Sequence, residues 1–431
     1  MSESEYLSVT DADTLWLMYG TILVFFMQCG FAMLEVGYVQ EKNTKNILIK
    51  NIFDASIGGL SWWVVGYGIA FGSSDSSSLI GYDSYLLDVD MNEKAMWLFQ
   101  WAFCATASTI VSGAVAERIS FSSYIAISTA LTSVIYPVVV HVGWGDGFAS
   151  PWREDNLLLG CGVVDFAGSG VVHATGGIAA LVSCYFLGPR IGRYVEGEIC
   201  EIPQQSIIFQ TLGTLILWFG WYGFNSVSTL SIHGLSGVAA HTMCTTTIAA
   251  ATGSLVTTAI GYAHEGIISH TNTNNGVLVG LVSITAGCST SSPGGALVIS
   301  AIGAPVYYYS NRLLIKYKID DVVGSFPIHG CCGLWGILST AFFTDPEYYA
   351  AAYYSDRADA CSGIFYGGNA NLLGTSVIFI LFLVTWVGVM TGIIVYPLKR
   401  MNMLRVTEVI EETGMDFSKH GTRIEINTIT E

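Results

Sequence analysis

The sequence predicts an all-α polytopic membrane protein with eleven transmembrane helices, built as two inverted five-helix repeats plus a C-terminal helix. Three observations predict it. Hydrophobic residues make up 52% of the 431 and charged residues only 12%, where an ordinary soluble domain carries roughly a quarter charged. The apolar residues gather into eleven runs, at 14–36, 46–71, 95–115, 122–143, 164–187, 205–228, 239–261, 275–292, 294–314, 322–343 and 372–397, each close to the roughly 20 residues that cross a hydrocarbon core. One short pattern occurs twice, five runs apart.

Composition narrows the class first. A soluble chain of this length would form two or three domains, but the polar residues here are too few and too clustered to cover them. The 48 glycines suit close helix approach in lipid. A net charge of −16 excludes nucleic acid as a partner. Met1 to Asp13 is polar and acidic and has no basic n-region. It does not read as a cleavable signal, and the first span is expected to direct insertion itself. Most of the ten cysteines (Cys29, Cys104, Cys184, Cys244, Cys288, Cys331, Cys332 among them) lie in apolar runs without a CxxC pair. They read as small buried apolar residues rather than a metal or redox site. Cys161 and Cys361 both fall near the outer face and could pair or stay free. No cofactor is expected.

The spans divide into repeats at about 14–187 and 205–343, then the eleventh helix at 372–397. Together these make a membrane domain, 1–398, followed by a polar tail, 399–431. The eighth and ninth spans are separated only by Pro293 and two glycines. The basic residues test the count. With eleven spans, one side holds Lys42, Lys45, Lys50, Arg118, Arg190, Arg193, Arg312, Lys316, Lys318, Lys399, Arg400, Arg405, Lys419 and Arg423, and the other only Lys94, Arg153 and Arg357. That 14 to 3 division of all 17 puts the N-terminus outside and the tail in the cytoplasm. The outer segments are acidic, with Asp75, Asp83, Asp88, Asp90, Glu93, Asp146, Glu154, Asp155, Asp345, Glu347, Asp356 and Asp359. They read as solvated loops that also concentrate cations modestly.

The repeated pattern is D-x-x-G-S-x-x-x-H. Residues 165–173 read DFAGSGVVH and residues 321–329 read DVVGSFPIH. One copy opens the fifth span and the other the tenth, so they run in opposite directions, as in inverted-repeat transporters with a site near the midplane. Eight residues of helix rise about 12 Å, so an Asp at either face sets its His near the centre of the core. Asp165 is expected to cap its helix by accepting backbone N–H groups, with Asp321 doing the same. Pro327 could distort the second helix start.

A histidine within a span is a functional candidate by default. Two at symmetry-related positions, His173 and His329, weaken the alternative of a satisfied packing contact. Two histidines leave a zinc site short of ligands, so no metal is expected. His141, His233, His241, His264, His270 and His420 lie near span ends, loops or the tail and receive no role.

At these residues the sequence resembles the Amt/Mep/Rh family of ammonium transporters, over nearly the whole chain. DFAGSGVVHATGG (165–177) resembles the fifth-span signature. GFAMLEVGYVQEKN (30–43), FQWAFCATASTIVSGAVAERISF (99–121), GWYGFNSVS (220–228), IHGCCGLWG (328–336) and the tail GMDFSKHG (414–421) follow in family order. The Trp of VGWGDG and the tail are similar to the Amt branch. The pattern departs from the family upstream of His329 and in the long 145–163 segment.

The resemblance implies roles residue by residue. Trp144, Phe103 and Ser228 would bind substrate at an outer site. Phe103 and Phe224 would form a stacked gate. His173 and His329, with Trp221 and Thr285, would line the pore, and Asp165 would support it structurally and electrostatically. The implied partners are ammonium or ammonia, methylammonium, the lipid bilayer, a homotrimer of this chain and a cytosolic regulator at the tail, in the plasma membrane. An aromatic face attracts a small cation by ~0.5–2 kcal/mol. An unpaired ion is expelled by a dry apolar pore, so loss of a proton lets neutral ammonia pass. Neutral imidazoles can donate with one nitrogen and accept with the other. The competing readings are a Rh-like neutral gas channel, which Trp144 argues against, and a sensor read through the tail. An intramembrane enzyme lacks a converging nucleophile or metal set.

Overall fold

The computed structural model describes residues 3–74 and 79–421. Asp75, Arg423 and the tail from residue 422 onward lie outside the described residues.

Each expected run overlaps a helical rod. These are α1 (Glu3–Tyr38), α2 (44–71), α3 (Lys94–Ala114), α4 (Phe121–Gly143), α5 (Ser169–Leu187), α6 (Ile207–Thr229), α7 (Ser236–Glu265), α8 (His270–Ile284), α9 (Pro293–Lys316), α10 (Phe326–Phe343) and α11 (Asn371–Arg400). Among the described residues the only strand pair is a two-residue hairpin, Tyr194–Val195 against Glu198–Ile199. Seven rods are long and apolar enough to cross a membrane by themselves: α1 from Asp11, α4, α5, α6, α7, α10 and α11. The other four carry what those seven lack or exclude. α2 includes Lys45, Lys50 and Asp54, α3 mixes apolar residues with Gln100, Thr106, Ser108, Thr109 and Ser112, α8 has only 15 residues, and α9 is rich in small residues and contains Pro305. Within these rods Lys50, Asp54, Gln100, Thr106, Ser108, Thr109 and Ser112 are buried against other helices.

Helix starts follow capping chemistry. Ser120, Ser206, Ser269 and Ser292 each accept a backbone N–H from three residues on, as N-cap side chains do. Pro293 follows at the first helical position, where its missing donor is not needed. The expected 275–292 run is helical only to Ile284. Beyond it the backbone is spent elsewhere: Thr285 and Ala286 carbonyls accept from Ala167 and Phe166 at 3.2 and 2.9 Å. The helix therefore stops where it is stitched to the segment ahead of α5. Likewise α5 starts at Ser169 and α10 at Phe326, later than the apolar runs suggested.

α5 is central and α11 peripheral: 78% of the apolar window is buried in α5 and 22% in α11. Lys50, counted above with the basic flank, is fully buried inside the bundle. It lies with its Nζ 5.2 Å from the Tyr124 ring. Asp54 on the same helix accepts from Ser108 and Ser128 at 2.9 Å and from Tyr124. Glu35 accepts from Asn51 at 2.7 Å and Ser112 at 3.0 Å. Such intramembrane polar groups are tolerated when paired within the protein.

Cys161 and Cys361 form a disulfide with Cα atoms 5.5 Å apart, closing one of the two alternatives left open by the sequence. The described part of the tail is anchored. Asp416 accepts from the Lys45 and Asn46 amides at 2.8 and 2.9 Å, capping α2 from outside its own segment. Lys42 Nζ donates to the Glu411 and Glu412 carbonyls. On the same face Arg190 bridges Asp320 (2.7 Å) and Glu117 (2.5 Å).

Candidate functional site

The two copies of the repeated pattern fold alike. Asp165 accepts from the amides of Gly168, Gly170 and Val171 at 3.1, 3.0 and 2.8 Å. Asp321 accepts from Ser325 and Phe326 at 3.0 and 2.8 Å. In each copy a glycine three residues after the Asp takes positive φ, +101° at Gly168 and +75° at Gly324, a conformation that glycine adopts without steric cost. In each copy the first helical stretch is a π turn, Ser169–Ala174 and Phe326–Cys331. Each π turn contains the histidine. Wide turns of this kind frequently sit at functional sites because they displace one side chain out of helical register.

The copies pack on each other reciprocally. A Cβ at Gly177 would lie 2.2 Å from the Gly330 nitrogen, and one at Gly333 would lie 2.4 Å from the Ser169 carbonyl. Only glycine permits this approach, and it brings the histidines together: His173 Nδ1 and His329 Nδ1 are 3.3 Å apart, within hydrogen-bonding range. Both are buried, and His173 Nε2 has no hydrogen-bond partner. With two Nδ1 atoms facing, one ring must donate and the other accept, so the two tautomers are coupled.

From this pair a column of rings leads outward. His173 stacks on Trp221 at 4.9 Å and on Phe224 at 5.3 Å between centroids. Phe224 stacks on Phe103 at 4.1 Å. Phe103 meets Trp144 edge-on at 6.0 Å and 76°. Phe103, Phe224, Trp221 and His173 are essentially without solvent exposure, whereas Trp144 is half-buried. Trp144, Phe103 and Ser228 share a cleft of ≈ 240 Å³ with Gln100, Met96 and Trp152. Ser228 donates to the Phe224 carbonyl at 2.8 Å, which leaves its oxygen lone pairs available on the cleft side. Trp221 Nε1 donates to the Thr285 hydroxyl at 3.0 Å, and that hydroxyl donates to the Leu281 carbonyl at 2.7 Å. Thr285 thus orients the indole that packs on His173.

The structure therefore brings all nine sequence-predicted residues into one connected assembly. Trp144, Phe103 and Ser228 lie on the cleft, Phe224 beneath, then Trp221, His173 and His329, with Thr285 and Asp165 behind them. Sequence reasoning passed over Gln100, Met96 and Trp152 in the cleft and Phe31, whose ring lies 6.3 Å from His329. Gln100 sits three residues before Phe103, one turn along the same helix face, and that spacing was the available signal. Among the described residues no group of three or more His, Cys, Asp or Glu could share a metal ion.

An all-helical bundle of this kind, with a column of stacked rings at its buried centre and helices apolar enough to span, defines a polytopic membrane protein. The chain belongs to the Ammonium Transporter Family, whose profile matches residues 15–424. It is 37% identical over 441 residues to ammonium transporter 1 member 3 of Solanum lycopersicum, covering 98% of this chain and 95% of that one. It is 38% identical over 416 residues to ammonium transporter Amt2 of Archaeoglobus fulgidus, covering 95% and 87%. Among solved structures it resembles a sensor Amt protein, with TM-score 0.86 and 31% identity over 96% of this chain and 99% of that chain. It shares its fold with Mep2 of Candida albicans, with TM-score 0.79 and 23% identity over 93% and 87%.

Proposed function

We propose that this protein carries ammonium across a membrane along the column that runs from Trp144 through Phe103 and Phe224 to His173 and His329. The single observation behind this reading is the unbroken ring contact from a half-open cleft to a buried imidazole pair. The relatives' names, all ammonium transporters, supply the substrate and point away from an enzyme.

The chemistry follows from the residues. Ammonium has four N–H donors and one positive charge. In the cleft, Trp144 and Phe103 offer aromatic faces and Ser228 a hydroxyl oxygen, so charge and one donor are met together. Past the stacked phenylalanines there are few acceptors, and an ion there would forgo its hydration without replacement. Ammonium that gives up its proton becomes neutral ammonia, which passes at far lower cost. The coupled imidazoles can hold and hand on a proton because each ring has one donor and one acceptor nitrogen. Potassium has no proton to lose and is rejected at that step.

The same reading assigns eleven spans to the eleven rods, with inverted repeats at about 14–187 and 205–343 and the N-terminus outside. The membrane domain is 1–398, placed in the plasma membrane as a homotrimer with one path per subunit. Residues 399–431 form a cytoplasmic regulatory tail available to a cytosolic partner, a role that fits the Asp416 cap on α2. The test is whole-cell current together with labelled methylammonium uptake in a host without other ammonium uptake, with potassium as competitor. Saturable uptake that ammonium blocks and potassium does not is expected. Absence of ammonium-sensitive uptake at confirmed surface expression overturns the reading.

A further inference from the structure

The column does not end in open solvent at His329. The helix that carries His329 begins against a narrow cavity of ≈ 150 Å³, lined among others by Tyr38, Asn275, Tyr307, Asp321 and Gly324. That cavity shares Tyr38, Arg193, Gln204, Thr271, Asp321 and Val322 with a wider one of ≈ 590 Å³ that Arg190 and Glu201 also line. Asn275, Tyr307 and Gly324 line the narrow cavity and not the wide one, and Gly324 lies just ahead of the Phe326–Cys331 turn that carries His329.

Three of these side chains are joined. The Tyr38 hydroxyl donates to Asn275 Oδ1 at 3.0 Å, and Asn275 Nδ2 donates to the Tyr307 hydroxyl at 2.8 Å. They come from three different helices: Tyr38 is the last residue of α1, Asn275 is on α8 and Tyr307 on α9. Each is almost completely buried, at 3%, 3% and 2% exposure. The chain lies against the first turn of the His329 helix: a Cβ on Gly324 would be 3.8 Å from Ile328, 4.0 Å from Asn275 Nδ2 and 4.0 Å from Tyr307. None of the three side chains is used by the column described above, and none is charged.

We propose that the Tyr38–Asn275–Tyr307 hydrogen-bond chain is an inner gate, closing the conduction path between His329 and the wide inner cavity. The inference rests on the column being that path. Ammonia leaving the dry segment is both donor and acceptor, so it can exchange places with a link of the chain while every polar atom stays bonded. A cation without donors cannot make that exchange. The gate therefore limits exit rate rather than recognition, and its opening is a side-chain step of the kind that often limits turnover.

The test uses Tyr38→Phe, Tyr307→Phe and Asn275→Ala in the full chain, with labelled methylammonium uptake at matched surface expression. Both Tyr→Phe changes remove only a hydroxyl and keep ring volume, so they remain informative should Asn275→Ala fail to fold. Maximal uptake should rise roughly two- to ten-fold, the effect of one lost net hydrogen bond, with half-saturation unchanged. Tyr38→Phe and Asn275→Ala cut the same chain, so the double variant should not exceed the larger single effect. Unchanged maximal uptake in all folded variants, or an altered half-saturation, overturns the gate. His173→Ala in the same assay reports on the column separately: uptake that survives it overturns the column, whereas uptake lost there but unaltered in the three variants overturns the gate alone.

Discussion

The Trp144 indole donates its N–H to the Asp165 carbonyl at 2.7 Å. The half-exposed wall of the cleft is thereby tied to the residue whose carboxylate holds the turn bearing His173. The cleft and the buried imidazole pair share one short backbone segment, and a change at Asp165 should reach both.

Asp165→Ala removes the acceptor of three backbone amides at a buried position. It should destabilise the protein by roughly 2–4 kcal/mol and lower uptake even in the fraction that folds. Thermal unfolding in detergent beside uptake per folded molecule checks this. Native stability in Asp165→Ala would show that the cap is dispensable.

Trp144→Leu removes the cation-attracting face while keeping an apolar side chain in the cleft. Half-saturation for methylammonium should rise by roughly 2- to 30-fold, the range of a cation–π contact of ~0.5–2 kcal/mol. Maximal uptake should change less. If half-saturation and potassium exclusion both stay at native values, Trp144 acts only as an interfacial anchor.

The contrast between these two sites shows what the sequence made legible. The Asp–His spacing could be read because a polar residue in an apolar run stands out, but the eight-residue helical rise expected between them does not hold, since helix begins only at Ser169 and Phe326. The ring column was reached only through family resemblance, since Phe103 and Phe224 have ordinary core chemistry and lie 121 positions apart in the chain. Neither the π turns nor the Gly177–Gly330 approach has a local signature; both arise when two helices are pressed together. The Cys161–Cys361 bond joins residues 200 apart, and proximity of that range is set by tertiary packing alone. Lys50 misled for the opposite reason. Its charge suggested a flank, whereas the folded chain buries it beside the Tyr124 ring, with no hydrogen-bond partner for its Nζ among the described residues.

The ion cluster of Arg190, Asp320 and Glu117 carries a pH prediction. Burial by itself would raise the Asp320 carboxyl, but hydrogen bonds from Arg190 and the charges of Arg118 and Arg190 outweigh it and hold the group well below the usual carboxylate range. A folded-state value lower than the unfolded one contributes stability that is complete above about pH 4 and is lost as pH falls toward the folded value. Asp320→Asn should destabilise by about 3–5 kcal/mol at neutral pH, as when one partner of a buried pair is removed, and should flatten the acid limb of the stability curve. Melting temperatures of both proteins from pH 7 to pH 3 decide it: parallel curves would mean that Asp320 does not titrate as described.

Phe224 stacks on Phe103 on one side and His173 on the other. Phe224→Ala removes the ring beneath Phe103 and leaves Trp144 and Ser228 of the cleft in place. Flux should change by more than half-saturation does, and potassium exclusion should weaken as water fills the space. Equal effects on both kinetic parameters would place Phe224 in the binding site instead.

The imidazole pair supports the sharpest test. His173→Ala leaves His329 Nδ1 without its partner at 3.3 Å, and the unmade bond should cost about 1–3 kcal/mol, which the fold should survive. On the proposed reading uptake should nevertheless fall steeply, and any proton-coupled current should fall further, because one of the two hydrogen-bonded rings is gone. His173→Glu restores a group that can hold a proton at the same depth. It should keep more transport than Ala, with a different pH profile, because desolvation pushes a carboxyl and an imidazole in opposite directions. Whole-cell current and labelled methylammonium uptake across pH, at matched surface expression, compare the three proteins. If His173→Ala transports like the native protein, with the same pH profile and the same potassium exclusion, the histidines are a packing contact and proton handling must reside elsewhere.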